Sequence, residues 1–333
     1  MTPLGICVIG AGDLGATQAE SWLKVPEVRL VSVADPDIVR CRSSQVKYGF
    51  DSWHEDYREA LAQPGIDVVS VVVPSDLRRE CAEAAMGRGY HVLCANPLAV
   101  SIEDAESMIA SRDRAGVKLG VGLCRRYLGQ VLKTRELIQA EALGRPCVYR
   151  YVSGGERLHR LWVMDKYSGG GPVIDLCSRY FDEMRFIFGS EPVRVRASGL
   201  TLSEGAGEMS GADLATDTVN LIVGFASGDI GVMSITWGLP QGVETGALED
   251  VLGSRGVIRL DNPTEVTLVT KRGHEEKFTG LEADAQLRQL EAFAQAIRED
   301  LPIPFSAEDG LTALRVSHAV LASVRTGQAV DLA

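Results

Sequence analysis

Two short stretches carry residue types that could do chemistry. The first is GAGDLG (Gly10–Gly15), which follows the apolar run LGICVIG and is itself followed, 20 positions beyond Gly15, by Asp35 at the end of a second apolar run, RLVSVAD. Glycines at such a strand-to-helix turn permit a tight bend and a close backbone approach, so the helix N-terminus can hold a pyrophosphate. An acidic residue at that distance accepts hydrogen bonds from ribose hydroxyls and repels a 2′-phosphate, so the pattern predicts a dinucleotide site that prefers NAD(H); Arg40 nearby leaves NADP(H) open. The second stretch is HVLCANPLAV (His91–Val100), a strand end turned by Pro97 ahead of a helix that begins at Ser101. Asn96 stands in that turn, and its amide donates and accepts hydrogen bonds but cannot exchange a proton.

Those turns need a frame. LGICVIG, RLVSVAD, IDVVSVVVP (stopped by Pro74), YHVLCA and VKLGVGL read as strands without polar alternation. The segments between them, such as DLRRECAEAAMGRG and SIEDAESMIASRDRAG, carry apolar residues at helical spacing. That pattern predicts an α/β domain with a doubly wound parallel sheet over residues 1–123. From residue 124 the rhythm changes to helices ended by Gly144 and Gly189, then strands PVRVRASGL, DTVNLIVGFASGDIGVMSITWGL and GVIRLDNPTEVTLVTK. LIVGFA–SGD–IGVMSI is a hairpin signal. Residues 124–333 therefore read as an α+β domain with a large, mostly antiparallel open sheet. Its two closing helices are expected to pack back on the first domain, and its open face to meet a partner copy in a homodimer or homotetramer.

The bulk numbers agree with a globular protein that binds small molecules. With 333 residues, 45 % hydrophobic, 24 % charged and a net charge of -11, the chain can bury a sizeable core and has no basic excess for nucleic acid or a membrane surface. No apolar run reaches the roughly 18 residues of a spanning helix. The N-terminus shows no signal-peptide pattern, and the seven cysteines form no C-x-x-C pair or Cys/His cluster. A cytoplasmic protein with reduced cysteines and no metal site is expected.

On the N-terminal fingerprint, on VVVPSDLRRECAEAAMGRGYHVLCANPLAVS, on SGGGPVIDLCSRYFDEMRFIFG and on SAEDGLTALRVSHAVLASVRTGQAVDL, the chain resembles the glucose-fructose oxidoreductase / inositol dehydrogenase (Gfo/Idh/MocA) family over nearly its whole length. The resemblance implies a Rossmann domain joined to an α/β domain whose open sheet makes oligomer contacts. It implies hydride transfer between a nicotinamide cofactor and a hydroxyl of a sugar, polyol or similar substrate. The implied cofactor contacts are Gly10, Gly12, Asp13, Leu14, Gly15, Asp35, Pro74, Ser75, Asn96 and Pro97.

The same resemblance exposes departures. Where the family has Glu-Lys-Pro, this chain has Ala95-Asn96-Pro97. In the family's Asp-x-x-x-His motif, Asp175 is kept and Arg179 replaces the histidine, and Ser75-Asp76-Leu77-Arg78 replaces an Asn-His-x-His flavour. A base near the reacting hydroxyl contributes about 10²–10⁴ in rate, and neither an amide nor a guanidinium supplies one. Asp175 is the firmest catalytic or substrate-binding candidate. Arg179, one turn further on, is either an i,i+4 ion-pair partner or an anchor for an anionic substrate. Arg126, Arg157, His159, Arg160 and Lys166 fall in segments that the resemblance places beside the substrate, as do Trp162 and Tyr167. Lys166 could replace the missing base if desolvated, with Tyr167 and His159 as lesser candidates for that role. Tyr180, Phe181 and Met184 are expected in the core. Three readings stay open: an NAD(H)-dependent oxidoreductase with a rebuilt proton path; a lyase or glycosidase-type enzyme that cycles NAD with no net redox change; and a non-catalytic nucleotide-sensing or partner-binding protein.

Overall fold

The computed structural model describes residues 3–156, 161–203, 213–240 and 242–332. It divides into two compact units, Met1–Cys124 with Gln286–Leu311, and Arg125–Ala285 with Thr312–Ala333.

In the first unit, β1 (Leu4–Ile9), β2 (Val28–Ala34), β3 (Ser52–His54), β4 (Val68–Val71), β5 (His91–Cys94) and β6 (Leu119–Val121) form a parallel sheet in the order β3-β2-β1-β4-β5-β6. Helices α1 (Asp13–Trp22), α2 (Ile38–Tyr48), α3 (Tyr57–Ala60), α4 (Arg78–Met86) and α5 (Ile102–Ala115) connect the strands. Every residue of β4 is buried, which is why the valine run lacks polar alternation. Ser70, the polar exception in β4, accepts from the Trp22 indole at 2.9 Å. Ser101 caps α5 by accepting from the Asp104 amide, and Gly116 ends it with positive φ. The edge strand β3 was not expected: three residues around Trp53 carry too short a pattern to stand out.

The second unit begins with α6 (Gly129–Gln139), then β7 (Val148–Glu156), α7 (Leu161–Met164), α8 (Gly171–Asp175) and α9 (Cys177–Phe188). There follow β8 (Pro192–Leu200), β9 (Thr218–Phe225), β10 (Ile230–Leu239), β11 (Gly246–Gly253), β12 (Gly256–Asn262), β13 (Glu265–Val269) and β14 (Glu275–Thr279). Helix α10 (Ala285–Arg298) belongs from Gln286 on to the first unit, and α11 (Ala307–Thr326), which is shared between the units, and the short β15 (Val330–Asp331) close the chain. The sheet order is β14-β13-β12-β11-β7-β10-β9-β8-β15, antiparallel except where β7 pairs β10. The β9–β10 hairpin forms as expected.

Three readings of this half are corrected. The helix expected to run to Gly144 ends at Gln139, because Glu141 turns the chain with a φ of 55°. The helix through Asp175 is interrupted at Leu176, between α8 and α9. β7 and β11, unassigned in the sequence, lie side by side in the middle of the sheet; the glycines and charges in both weaken their strand signal. The inner face buries Tyr149, Tyr151, Val219, Leu221, Met233 and Ile235 against α9, which contributes Tyr180, Phe181 and Met184 as expected.

Candidate active site

The glycine turn after β1 is shaped by clearance. Gly10 has a φ of +105°, and a Cβ there would lie 2.7 Å from the Val72 carbonyl oxygen. A Cβ on Gly15 would collide with the Gly10 carbonyl, whereas one on Gly12 would meet nothing within 4 Å. Two glycines thus let backbone pack on backbone, and the third faces open space at the start of α1. Gly12 caps α1 without a side-chain hydrogen bond, so the first-turn N–H groups around Asp13 and Leu14 are not taken up by a capping side chain. Asp35 accepts from the Ala11 amide at 2.7 Å and, through its other oxygen, from the Asp37 amide at 2.9 Å. A carboxylate accepts about four hydrogen bonds, so capacity for a ribose diol remains. Arg40 turns onto Asp37 (3.2 Å), leaving two acids at the end of β2 where a 2′-phosphate would sit.

The ends of β4 and β5 form the other wall of this half-site. Ser75 is 2 % exposed, and its Oγ is buried without a hydrogen-bond partner among the described residues. A buried hydroxyl of that kind fits a ligand group that completes it. Pro97 is buried, Asn96 is half-buried, and the peptide between them is cis. Arg78 is 3 % exposed; its guanidinium donates to the carbonyls of Val73 (3.0 Å), Ala95 (3.4 Å) and Pro97. Arg78 therefore ties the turn after β4 to the turn after β5. Sequence reasoning had noted Arg78 only as a departure. An arginine opening the helix after a loop looks like any solvated helix-start charge.

The glycine turn, Asp35, and the ends of β4 and β5 thus fit a dinucleotide with an unphosphorylated ribose. Among the described residues no group of three or more His, Cys, Asp or Glu could hold a metal ion, and no helix is long and apolar enough to cross a membrane. The seven cysteines are free, and burial pushes thiols such as Cys7 and Cys94 up to about 12 and about 11, so neither is a ready nucleophile.

In the second unit, Asp175 ends α8 and Arg179 lies on the first turn of α9. The Arg179 Nη2 stands 3.6 Å from Asp175 Oδ2 and donates to the Asp175 carbonyl at 3.4 Å. The i,i+4 ion pair is therefore formed, and the Arg179 Nε is buried without a partner among the described residues. Arg126, expected beside the substrate, is 8 % exposed and grips Asp182 with two guanidinium nitrogens. Lys166 is exposed, with its Nζ 5.5 Å from the ring of Tyr167, itself 64 % exposed. The desolvation needed for a lysine base is not provided within this unit. Trp162 is half-buried and packs against the core. His159, Arg157 and Arg160 lie outside the described residues.

The chain matches the model described as oxidoreductase family, NAD-binding Rossmann fold, over residues 4–123, and that of the same family's C-terminal alpha/beta domain over residues 135–332. Myo-inositol 2-dehydrogenase of Thermotoga maritima is 29 % identical, covering 98 % of this chain and 98 % of its own length. The scyllo-inositol 2-dehydrogenase (NAD(+)) of Bacillus subtilis is 27 % identical over 98 % of this chain and 95 % of its own. A levoglucosan dehydrogenase solved with NADH and levoglucosan has the same fold, with a TM-score of 0.88 at 21 % identity over 99 % of each chain. With both of its domains matched in order, and with a dinucleotide half-site whose residues fit NAD, the chain belongs to the Gfo/Idh/MocA family and is an NAD-dependent oxidoreductase.

Proposed function

We propose that the protein oxidises, or in reverse forms, a secondary hydroxyl of a cyclic polyol or sugar, with NAD(H) held by the first unit and the substrate by Asp175 and Arg179 of the second. The observation that carries this reading is the pairing of an unfilled acceptor and donor set in the nucleotide half (Gly12, Asp35, Ser75) with relatives named for inositol oxidation. The cofactor, when bound, supplies the hydride acceptor; the chain must do the rest. Asp35 orients the adenosine ribose and the α1 N-terminus faces the pyrophosphate. Asn96 positions a hydroxyl by hydrogen bonding and leaves proton transfer to another group. Asp175 accepts a hydrogen bond from the substrate and pairs with Arg179, whose Nε, without a partner among the described residues, suits an acceptor such as a ring oxygen or a carboxylate. The substrate class extends on this reading to sugar acids.

One observation favours a second reading. Asn96, which stands where the resemblance implies a lysine, suits an enzyme that oxidises its substrate transiently and returns the hydride, with no net redox change. For either reading, the outer face of the second sheet, which exposes Val152, Leu200, Ile222 and Leu248, pairs with a second copy of the chain. Fluorescence titration with NADH and NADPH tests the common root: NADH should bind in the micromolar range and NADPH at least about tenfold more weakly, a difference of about 1.4 kcal/mol. Failure of folded, cofactor-free protein to bind NADH overturns both readings. A screen with myo-inositol, its isomers and uronic acids then separates them, since only the first accumulates NADH.

A further inference from the structure

On the buried side of α9, two carboxylates face one arginine. Glu183 is fully buried; the Arg125 Nε donates to it, and the Arg125 Nη2 donates to Glu249 of β11 at 2.7 Å. The Tyr149 hydroxyl of β7 is 2.9 Å from Glu183 Oε1 and 2.6 Å from Glu249 Oε1. The charges do not balance: two carboxylates and one guanidinium leave one negative charge in a buried site. The hydrogens do not balance either. A phenol has one hydrogen to donate, yet Tyr149 stands within hydrogen-bond distance of two acceptors, so with both carboxylates ionised one faces a hydroxyl lone pair. A single added proton corrects both counts.

We propose that Glu183 and Glu249 form a proton-binding site, which holds one proton between the two carboxylates with Tyr149 as the bridging hydroxyl and Arg125 as the fixed counter-charge. Among the described residues, the charged groups packed around it are paired with one another or lie over an aromatic ring. On α9, Tyr180 stacks on Tyr151 of β7 and lies under Arg125 at 4.3 Å, while Asp182 is taken by Arg126 and Arg185 by Glu191. From β7 and β11, Arg150 and Asp250 pair with each other. From α6, Arg135 lies over Phe186 at 4.1 Å. Burial pushes the Glu183 carboxyl up, and although Arg125 works to lower it, with Glu249 adding to the rise it reaches about 7. Burial likewise pushes Tyr149 well above the phenol range, so it stays a donor. Glu249 keeps an edge that is 10 % exposed, through which the proton reaches solvent.

The sign of the pH effect follows. A carboxyl raised in the folded state binds more protons folded than unfolded between its ordinary value and about 7, so stability falls as pH rises through that window and is level above it. Infrared difference spectra of the full chain between weakly acid and weakly alkaline pH test the site directly. The wild type should lose one protonated-carboxyl carbonyl band with a midpoint near 7. Glu183→Gln should remove the band, and Glu249→Gln should move its midpoint down by about one pH unit or more, because the like charge is gone. Tyr149→Phe should move it down, because the protonated carboxyl loses the hydroxyl oxygen it donates to and the ionised pair is relieved of a facing lone pair. The melting temperature of Glu183→Gln should also lose the wild type's decline over this window. If Glu183→Gln does not fold, the other two variants carry the test. No band in the wild type, or a band unmoved by Glu249→Gln and Tyr149→Phe, overturns the proposal.

Discussion

At the carboxyl ends of β1, β2, β4 and β5, the groups placed to meet a ligand are held by main-chain hydrogen bonds. Asp35 is fixed by the amides of Ala11 and Asp37, and the Asn96–Pro97 turn by the grip of Arg78 on three carbonyls. In the second unit charged side chains hold one another: Asp175 with Arg179, Arg126 with Asp182, and Arg125 with Glu183 and Glu249. A backbone cradle needs glycine and a short polar cap at fixed spacing, and it recognises what all dinucleotides share. Side-chain pairs depend on residue identity rather than on backbone spacing, and they can be rebuilt one residue at a time, so a site built on them changes more readily than the backbone cradle of the first unit.

The largest effect expected from breaking this contrast is at Gly15. Gly15→Val drives a side chain into the Gly10 carbonyl and reshapes the turn. NADH affinity should fall more than about 100-fold, or about 2.7 kcal/mol, measured by the same fluorescence titration. A loss under tenfold would mean that the turn does not carry the binding. Next comes Arg78→Met, which keeps bulk but leaves buried carbonyls without their donor. Unfolding in urea should show a loss of about 2–4 kcal/mol, with NADH binding weakened in folded protein. A loss under about 1 kcal/mol would show those carbonyls already satisfied without the guanidinium.

How much of this was legible in the sequence follows the same division. GAGDLG, Asp35 and the parallel strands were readable because local spacing alone fixes them, and Ser101 and Gly189 marked helix ends for the same reason. β7 and β11 were not, since a strand rich in glycine and charge is recognised only by what pairs with it across the sheet. Arg126 shows the limit most clearly. Nothing in CRRYLG tells a substrate arginine from one whose partner, Asp182, is 56 residues away. The Glu183 site was invisible for that reason too: Arg125, Tyr149 and Glu249 come from three elements spread over more than a hundred residues. Whether Lys166 is desolvated could not be read from residue type, and within its own unit it is exposed.

Arg179 gives the smallest expected effect and the sharpest distinction. Its side chain is 39 % exposed and its pair with Asp175 spans 3.6 Å on one helix face, so the pair contributes no more than about 0.3–0.5 kcal/mol to folding. Arg179→Gln should therefore leave the urea midpoint almost unchanged. It should leave NADH affinity unchanged as well if the half-site built from the glycine turn, Asp35 and the ends of β4 and β5 carries the binding. If Arg179 anchors the substrate, the variant raises KM for whichever polyol or sugar acid is turned over, and raises it most for an anionic one, because only a charged acceptor loses a charge-assisted bond. A destabilisation above about 1.5 kcal/mol would instead mark the buried Nε edge as part of the packing. In that case Arg179 would join Arg126 as a structural cation, and Asp175 would stand alone as the substrate contact on this pair of helices.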